Sequence, residues 1–169
     1  SGEVPVLIIN NHKVCGHYAI TEFLEEEFDT IFPENKEERN ECRRLIDWFD
    51  NKFYFEVLKI ILHEKVERQF LNVKQGGGLP RLERIKVAIH TMNYHMSYID
   101  NILNESYFLV GEELNAADFT AVAHISCLDY LGDIPWKNYP RVKDWYAKIK
   151  SRPSFRSLLT DQIMSIPPR

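Results

Sequence analysis

The chain has 169 residues, of which 44% are hydrophobic, enough for the core of one domain or of one domain plus part of another. Its net charge of −4 argues against nucleic acid or an anionic membrane as a partner, since both select a basic excess. No apolar run approaches the roughly 18 to 20 residues that span a bilayer, and no basic segment typical of a signal peptide opens the chain. Three widely spaced cysteines fit reduced thiols better than a disulfide framework. We therefore expect a cytoplasmic protein that binds neither membrane nor nucleic acid.

The first thirty residues are predicted to form a strand, a turn, a second strand and a helix. Residues 4–9 are apolar and mostly β-branched, which is typical of a buried strand. A turn signal over 10–12 precedes a short strand at 13–15. Apolar residues at steps of three and four then predict a helix over 16–28, followed by a linker.

The remaining chain is predicted to be all helical. One helix covers 37–70 and ends at a glycine-rich turn. The next carries an apolar seam at steps of four and three, made of Ile85, Ile89, Met92, Met96, Ile99 and Leu103. A further helix begins after Asn115, a good N-cap, and Asp118 three residues later completes a capping box. We interpret Asp118 as a structural carboxylate rather than a catalytic one.

Two more helices are predicted at the end of the chain. Pro140 opens the first of them. Ser151 is expected to cap the second, and its apolar side chains are expected to point into the core: Phe155, Leu158, Leu159 and Ile163. The whole is an α+β fragment joined to an all-α unit.

Several stretches, in chain order, resemble the glutathione transferase family. Val4-Pro5 and residues 19–26 resemble the end of its thioredoxin-like domain, while 108–118 and 139–155 resemble its second, all-helical domain. The resemblance implies a partial thioredoxin-like unit (strand-strand-helix) over 1–32 and the C-terminal helical bundle of the family over 33–169. The strand-helix-strand unit that opens a full thioredoxin-like domain, and the catalytic residue it carries, have no counterpart here. We therefore expect a truncated chain to which no catalytic residue can be assigned.

A closer resemblance is to the FtsZ-associated, transferase-like cell-division proteins of bacteria. It rests on residues 3–7, 14–16, 48–53, 123–126 and 145–156, and most specifically on the run DYLGDIPW at 129–136. The resemblance implies a non-catalytic protein that binds FtsZ filaments as a homodimer. It also implies partner binding by the tail beyond the last helix, which makes candidates of Ile166, Pro167, Pro168 and Arg169.

The resemblance to transferases further implies two parts of a glutathione subsite. In the family the peptide before the proline is cis and the preceding residue pairs with the cysteinyl part of glutathione, which points to Val4 and Pro5. The γ-glutamyl carboxylate is held at the start of the next helix, usually by an acidic residue or Gln and then Ser or Thr. Gly16 and His17 stand in those positions. The missing hydroxyl favours lost or altered binding, although the helix N-terminus keeps glutathione possible. No cofactor is required.

Cys15 lies beside this subsite within a predicted strand, which favours a packed, inert thiol over a mixed disulfide with glutathione. The histidines are scattered, and His90 and His95 are five residues apart, so no metal site is expected.

Two other functions stay open. A glutathione-dependent transferase or peroxidase would hold its electrophile between the two domains, with Trp48, Tyr94 and Tyr98 as candidate wall residues. A dimer or core contact is the more ordinary use of such aromatic side chains. A generic assembly module is a third class, and no residue selects it.

Overall fold

The N-terminal part of the computed structural model is a hairpin followed by a helix, and the described residues are 4–28, 31–163 and 165–168. Strands β1 (Val6–Ile9) and β2 (His12–Cys15) are antiparallel, with Val6 opposite Cys15 and Ile9 opposite His12. Asn10 and Asn11 connect them with φ values of 46° and 67°, the left-handed conformation that tight two-residue hairpin turns require. Helix α1 (His17–Phe28) completes the predicted strand-strand-helix unit.

A continuous helical run, α2, spans residues 36–70 and alternates between two windings. Asn35 caps its start, because its Oδ1 accepts hydrogen bonds from the backbone amides of Glu37 (2.8 Å) and Glu38 (3.2 Å). The winding is π-helical at Trp48–Leu58 and His63–Glu67, and α-helical at Lys36–Asp47, Lys59–Leu62 and Arg68–Phe70. The predicted helix is therefore present, but its π segments were not predicted, since apolar spacing alone does not separate the two windings.

Four more helices follow: α3 (Leu82–Ile102), α4 (Ala116–Tyr130), α5 (Pro140–Lys150) and α6 (Arg156–Thr160). Single 3₁₀ turns lie at Val73–Gln75, Trp136–Asn138 and Pro153–Phe155. Helix α3 packs against the first π segment of α2, α4 packs against the start of α2, and α5 packs against α3 and α4. Four members of the predicted α3 seam are buried: Ile85, Met92, Met96 and Ile99.

The apolar core belongs to the helical bundle. Its largest fully buried side chains include Phe53, Leu45, Ile61 and Leu128. Among the described residues, none before Ile31 belongs to this core or packs against it. Ile31 and Phe32, the last residues of the predicted N-terminal unit, contribute to this cluster, and the division of the chain at residue 32 stays a prediction. Within the described ranges, no helix combines the length and apolar character that crossing a bilayer would require.

The expectation for the last helix is wrong. Ser151 caps nothing at its start, and its Oγ instead donates to the carbonyl of Lys148 at the end of α5. Only Phe155 is buried, whereas Leu158 and Leu159 are half exposed. Helix α6 has five residues, too few to lay a full apolar face on the bundle, so these side chains line an open groove of about 430 Å³.

Candidate functional site

The structure brings the four predicted glutathione-subsite residues together. The Val4–Pro5 peptide bond is cis, as the resemblance implies. The backbone amide of Gly16 donates to the carbonyl of Pro5 over 3.0 Å, which places the cis peptide beside the start of α1. Val4 is 87% exposed, so this corner is open to solvent. Gly16 has a φ of 88°, where other residues are strained, and the turn between β2 and α1 therefore accounts for this glycine without a ligand.

His17 is not a free donor, because its imidazole is bound to a carboxylate of the bundle. Its Nε2 lies 2.8 Å from Oδ2 of Asp50, in the first π segment of α2. The other carboxylate oxygen, Oδ1, lies 2.9 Å from Nε2 of His124 on α4. One carboxylate thus joins two imidazoles from opposite sides of the unit boundary. We call His17, Asp50 and His124 the histidine–aspartate bridge.

The bridge changes what the start of α1 offers to a ligand. The first amides of a helix attract anions, and a γ-glutamyl carboxylate would use them. At this helix start the exposed imidazole already donates to an internal carboxylate, whose negative charge opposes a second anion nearby. Sequence reasoning singled out His17 but missed Asp50 and His124. Both lie in stretches that carry the resemblance to the cell-division proteins, yet no spacing signal links positions 17, 50 and 124.

Cys15 is exposed, and the expectation of a packed thiol is wrong. The hairpin shows the reason: β2 pairs only with β1 among the described residues, and three of its four residues are exposed.

Asn115 and Asp118 form the predicted capping box at the start of α4. The fully buried Asp118 carboxylate accepts from the amide of Asn115 through Oδ2 (3.1 Å) and from the amide of Leu109 through Oδ1 (3.0 Å). Its Oδ1 also accepts from Nε1 of Trp145 on α5 over 2.8 Å. Burial raises the pKa of Asp118 to about 6. No solvent reaches this carboxylate, so its role is to join a loop and two helices.

The candidate wall residues lie on the outward face of α2 and α3. The indole of Trp48 is 4.0 Å from the ring of Tyr98, and its Nε1 donates to Nδ1 of His95 over 3.0 Å. Nε2 of His95 lies 3.0 Å from Oε2 of Glu56, so the neutral imidazole carries its proton on Nε2 and donates it. Burial lowers the pKa of His95. These contacts join the aromatic residues to one another rather than to the cis peptide.

The C-terminal tail folds back on the bundle. The hydroxyl of Tyr130 donates to the carbonyl of Ile166 (2.6 Å) and accepts from the amide of Ile163 (3.0 Å), which fixes a turn between those two residues. Pro167 and Pro168 are exposed beyond this turn, and the candidate Arg169 lies outside the described residues. Nowhere in the described ranges do three His, Cys, Asp or Glu side chains converge as they would around a metal ion.

The chain has a hairpin and a helix that a short segment joins to a helical bundle, and the third helix of that bundle, α4, starts at a buried capping box. This arrangement is that of proteins with the glutathione transferase fold. Residues 79–161 match the family described as "Glutathione S-transferase, C-terminal domain". FtsZ-localized protein A of Caulobacter vibrioides is 38% identical over 174 residues, covering 99% of this chain and 75% of that protein. The chain belongs to the glutathione transferase family.

Solved structures agree with this assignment. A glutathione S-transferase from Rhodospirillum rubrum has a TM-score of 0.91 and 37% identity, covering 99% of this chain and 75% of that one. FzlA from C. crescentus has a TM-score of 0.90 and 37% identity, covering 97% and 73%.

Proposed function

We propose that this chain is a binding protein of the glutathione transferase fold that associates with FtsZ during bacterial cell division. It acts in the cytoplasm as a homodimer and without transferase chemistry. The observation that carries the proposal is the 38% identity to FtsZ-localized protein A along 99% of the chain. The same stretches that distinguish the cell-division proteins in the sequence supply Asp50 and His124, two of the three residues of the histidine–aspartate bridge.

The bridge supports a binding role over glutathione chemistry. The carboxylate of Asp50 already accepts from the imidazole of His17, the side-chain donor that the predicted subsite would offer to a ligand carboxylate at the start of α1. Its second hydrogen bond, to His124, anchors the carboxylate on the bundle side. The corner around the cis peptide then serves to attach the N-terminal unit and not to grip a tripeptide.

Co-sedimentation with purified FtsZ tests the association. We expect the chain to pellet with FtsZ polymerised by GTP, and to stay in the supernatant with GDP or without FtsZ. Pelleting that does not exceed the level without polymer would refute the proposal.

The tail is tested in the same assay with a variant that ends after Ile166. This truncation removes residues 167–169, of which Pro167 and Pro168 are exposed, but keeps the hydrogen bond between Tyr130 and the Ile166 carbonyl. If the tail contacts FtsZ, the truncated chain pellets less, while the exposed-surface variant Glu83→Gln pellets like the wild type. Equal pelleting of all three moves the contact away from the tail.

A glutathione-dependent transferase or peroxidase is the second candidate. The contact between Gly16 and Pro5 favours it, because both halves of the predicted subsite are adjacent and open. Calorimetric titration with glutathione, followed by turnover of a model electrophile, separates the two functions. Saturable binding with turnover would establish the enzyme, whereas the binding protein shows neither.

A further inference from the structure

The turn that joins α2 to α3 is basic, in a chain that is acidic overall. Residues 68–87 contain five basic residues and one acidic residue, a net charge of +4, whereas the whole chain has a net charge of −4. Four of the five basic residues are exposed: Lys74, Arg81, Arg84 and Lys86. Arg84 and Lys86 pair with carboxylates of the chain, whereas no ion pair joins Lys74 or Arg81 to another described residue. This end of the bundle therefore presents positive charge to solvent.

The same turn exposes large apolar side chains. Leu79 is 89% exposed, Val73 86%, Leu82 67% and Phe70 60%. Val73 and Leu79 lie in the turn itself, while Phe70 ends α2 and Leu82 begins α3. Because water solvates such side chains poorly, a partner that removes them from water gains free energy. We define the turn patch as the exposed apolar and basic residues of this segment: Phe70, Val73, Lys74, Leu79, Arg81, Leu82 and Arg84.

A buried carboxylate fixes the backbone on which the turn patch stands. Glu64 on α2 is fully buried, and its Oε2 accepts from the backbone amide of Arg81 over 3.0 Å. The same carboxylate pairs with the guanidinium groups of Arg68 and Arg84, each at 3.2 Å. These contacts join the end of α2 to the start of α3.

The turn itself is closed by hydrogen bonds and by a close approach of the chain to itself. Arg68 donates to the backbone carbonyls of Gly76 and Leu79. A Cβ atom added at Gly77 would lie 1.8 Å from the carbonyl oxygen of Leu71, so this approach requires glycine. The exposed side chains are therefore held in place before a partner arrives, and little backbone freedom remains to be lost on binding.

The arrangement fits an anionic lipid surface better than an acidic protein. A groove that binds a peptide shelters its apolar side chains, whereas Val73 and Leu79 are exposed almost completely. Apolar side chains that can enter the headgroup region and basic side chains that can meet lipid phosphates are the two signals that peripheral membrane binding combines. The turn patch supplies both on one end of the bundle.

The net charge of −4 does not oppose such a contact. At physiological ionic strength a charge is felt over about 8 Å, so a bilayer responds to the surface that faces it rather than to the charge of the whole chain. The expectation that the chain binds no membrane rested on the whole-chain charge and does not take this local distribution into account.

We propose that the turn patch binds the surface of an anionic lipid bilayer. Val73 and Leu79 enter the headgroup region, and Lys74, Arg81 and Arg84 lie against the lipid phosphates. The assignment is independent of FtsZ and of glutathione, because it uses neither the C-terminal tail nor the histidine–aspartate bridge.

Flotation of the full chain with lipid vesicles tests the assignment. Vesicles of equimolar phosphatidylglycerol and phosphatidylcholine are compared with vesicles of phosphatidylcholine alone. We expect the wild type to float with the anionic vesicles at low salt, to bind the neutral vesicles at least about tenfold more weakly, and to be released by added salt. A wild type that stays below both kinds of vesicle, or that floats equally with both, would overturn the assignment.

Two double variants separate the two signals. Lys74→Gln/Arg81→Gln removes charge, and Val73→Ser/Leu79→Ser removes the apolar contact. All four side chains are exposed, so both variants should fold, which far-UV circular dichroism checks. We expect each to lower the partition coefficient for anionic vesicles by about tenfold. Unchanged flotation of either variant would contradict the proposal.

The matched controls are Lys137→Gln/Lys143→Gln and Ile8→Ser/Phe28→Ser, which make the same kinds of change on exposed residues elsewhere. They should float like the wild type, and losses equal to those of the patch variants would overturn the assignment. An acidic protein is the other possible occupant. If the wild type stays below the anionic vesicles but binds a fluorescein-labelled peptide of alternating glutamate and leucine, and the patch variants do not, the membrane assignment is wrong.

Discussion

The N-terminal unit and the helical bundle are held together by different forces. The bundle has a continuous apolar core with fully buried side chains such as Phe53 and Ile125. The described residues before Ile31 add none to that core, and α1 reaches α2 through polar pairs: Glu25 with Arg39, Glu22 with Arg43, and His17 with Asp50. The bundle therefore supplies the stability, whereas the attachment of the unit depends on charge and geometry.

These three polar contacts follow one another along α1 and α2, which run antiparallel. Residues 17, 22 and 25 of α1 meet residues 50, 43 and 39 of α2 in reverse order. The innermost, Glu25, is buried and also accepts from the amides of Ile31 and Phe32 over 2.9 and 3.0 Å. Hydrogen bonds from these amides and the Arg39 guanidinium outweigh desolvation by burial, so the pKa of Glu25 is lowered. The N-terminal unit is thus attached by specific polar contacts, and solvent and salt can reach the contact of His17 with Asp50, at the end opposite Glu25.

The largest predicted effect on the free energy of unfolding comes from truncating a side chain of the bundle core. Phe53→Ala empties a fully buried ring site and should lower the free energy of unfolding by about 3–5 kcal/mol. Ile8→Ala on the exposed hairpin face should change it by less than about 0.5 kcal/mol. Urea denaturation measures both. Similar losses for the two variants would mean that the hairpin shares the bundle core.

The buried capping carboxylate should give the next largest effect. Asp118→Asn replaces an acceptor of three hydrogen bonds by an amide that can accept through only one atom. At least one buried donor is then left unpaired, at a cost of about 2–3 kcal/mol in the free energy of unfolding. Asp129→Asn is the comparison, since that carboxylate is less buried. If Asp118→Asn lowers the free energy of unfolding by less than Asp129→Asn does, the Asp118 carboxylate is not the contact that joins α4 to α5.

The buried imidazole of His95, which lies in the bundle, should make the free energy of unfolding depend on pH. Its folded pKa is lowered by burial, so the unfolded chain takes up a proton near pH 6.5 before the folded chain does. The contribution of His95 is complete above the unfolded pKa and is lost as the pH falls below it, by up to about 1.4 kcal/mol per pH unit. Urea denaturation between pH 7.5 and 5.5 should show a shallower decline for His95→Gln than for the wild type.

The matched variant for this measurement is His90→Gln, which alters an exposed histidine on the same helix. Its decline with pH should parallel that of the wild type. A parallel decline for His95→Gln would show that the buried imidazole is not the titrating group.

The smallest effect concerns the attachment itself. Arg43→Gln removes both hydrogen bonds to Glu22, a partly exposed pair. Hydrogen exchange of the α1 amides should become about three- to fivefold faster, and added salt should accelerate the wild type in the same direction. Arg141→Gln breaks a comparable ion pair, with Asp100 inside the bundle, and should leave α1 exchange unchanged. Unaltered α1 exchange in Arg43→Gln would mean that other contacts hold the unit.

Much of the fold was predictable because its signals are local. Apolar spacing placed both ends of α1 and of the long run α2 to within one residue, and Asn115 with Asp118 marked the start of α4. The cis peptide and the grouping of Val4, Pro5, Gly16 and His17 came from the resemblance to the transferases. Local signals gave wrong predictions in two places. Apolar spacing predicted that Leu158 and Leu159 of α6 are buried, and the position of Cys15 in a strand predicted a packed thiol, but these side chains are exposed.

The local sequence determined the order of strands and helices, the capping box and the turn at Gly16, because hydrogen bonding and steric limits act between residues a few positions apart. The bridge of His17, Asp50 and His124 was decided only in three dimensions, since the packing of α1, α2 and α4 alone brings positions 33 and 74 residues apart onto one carboxylate. The same holds for the burial of the side chains of α6, which depends on what the neighbouring helices cover.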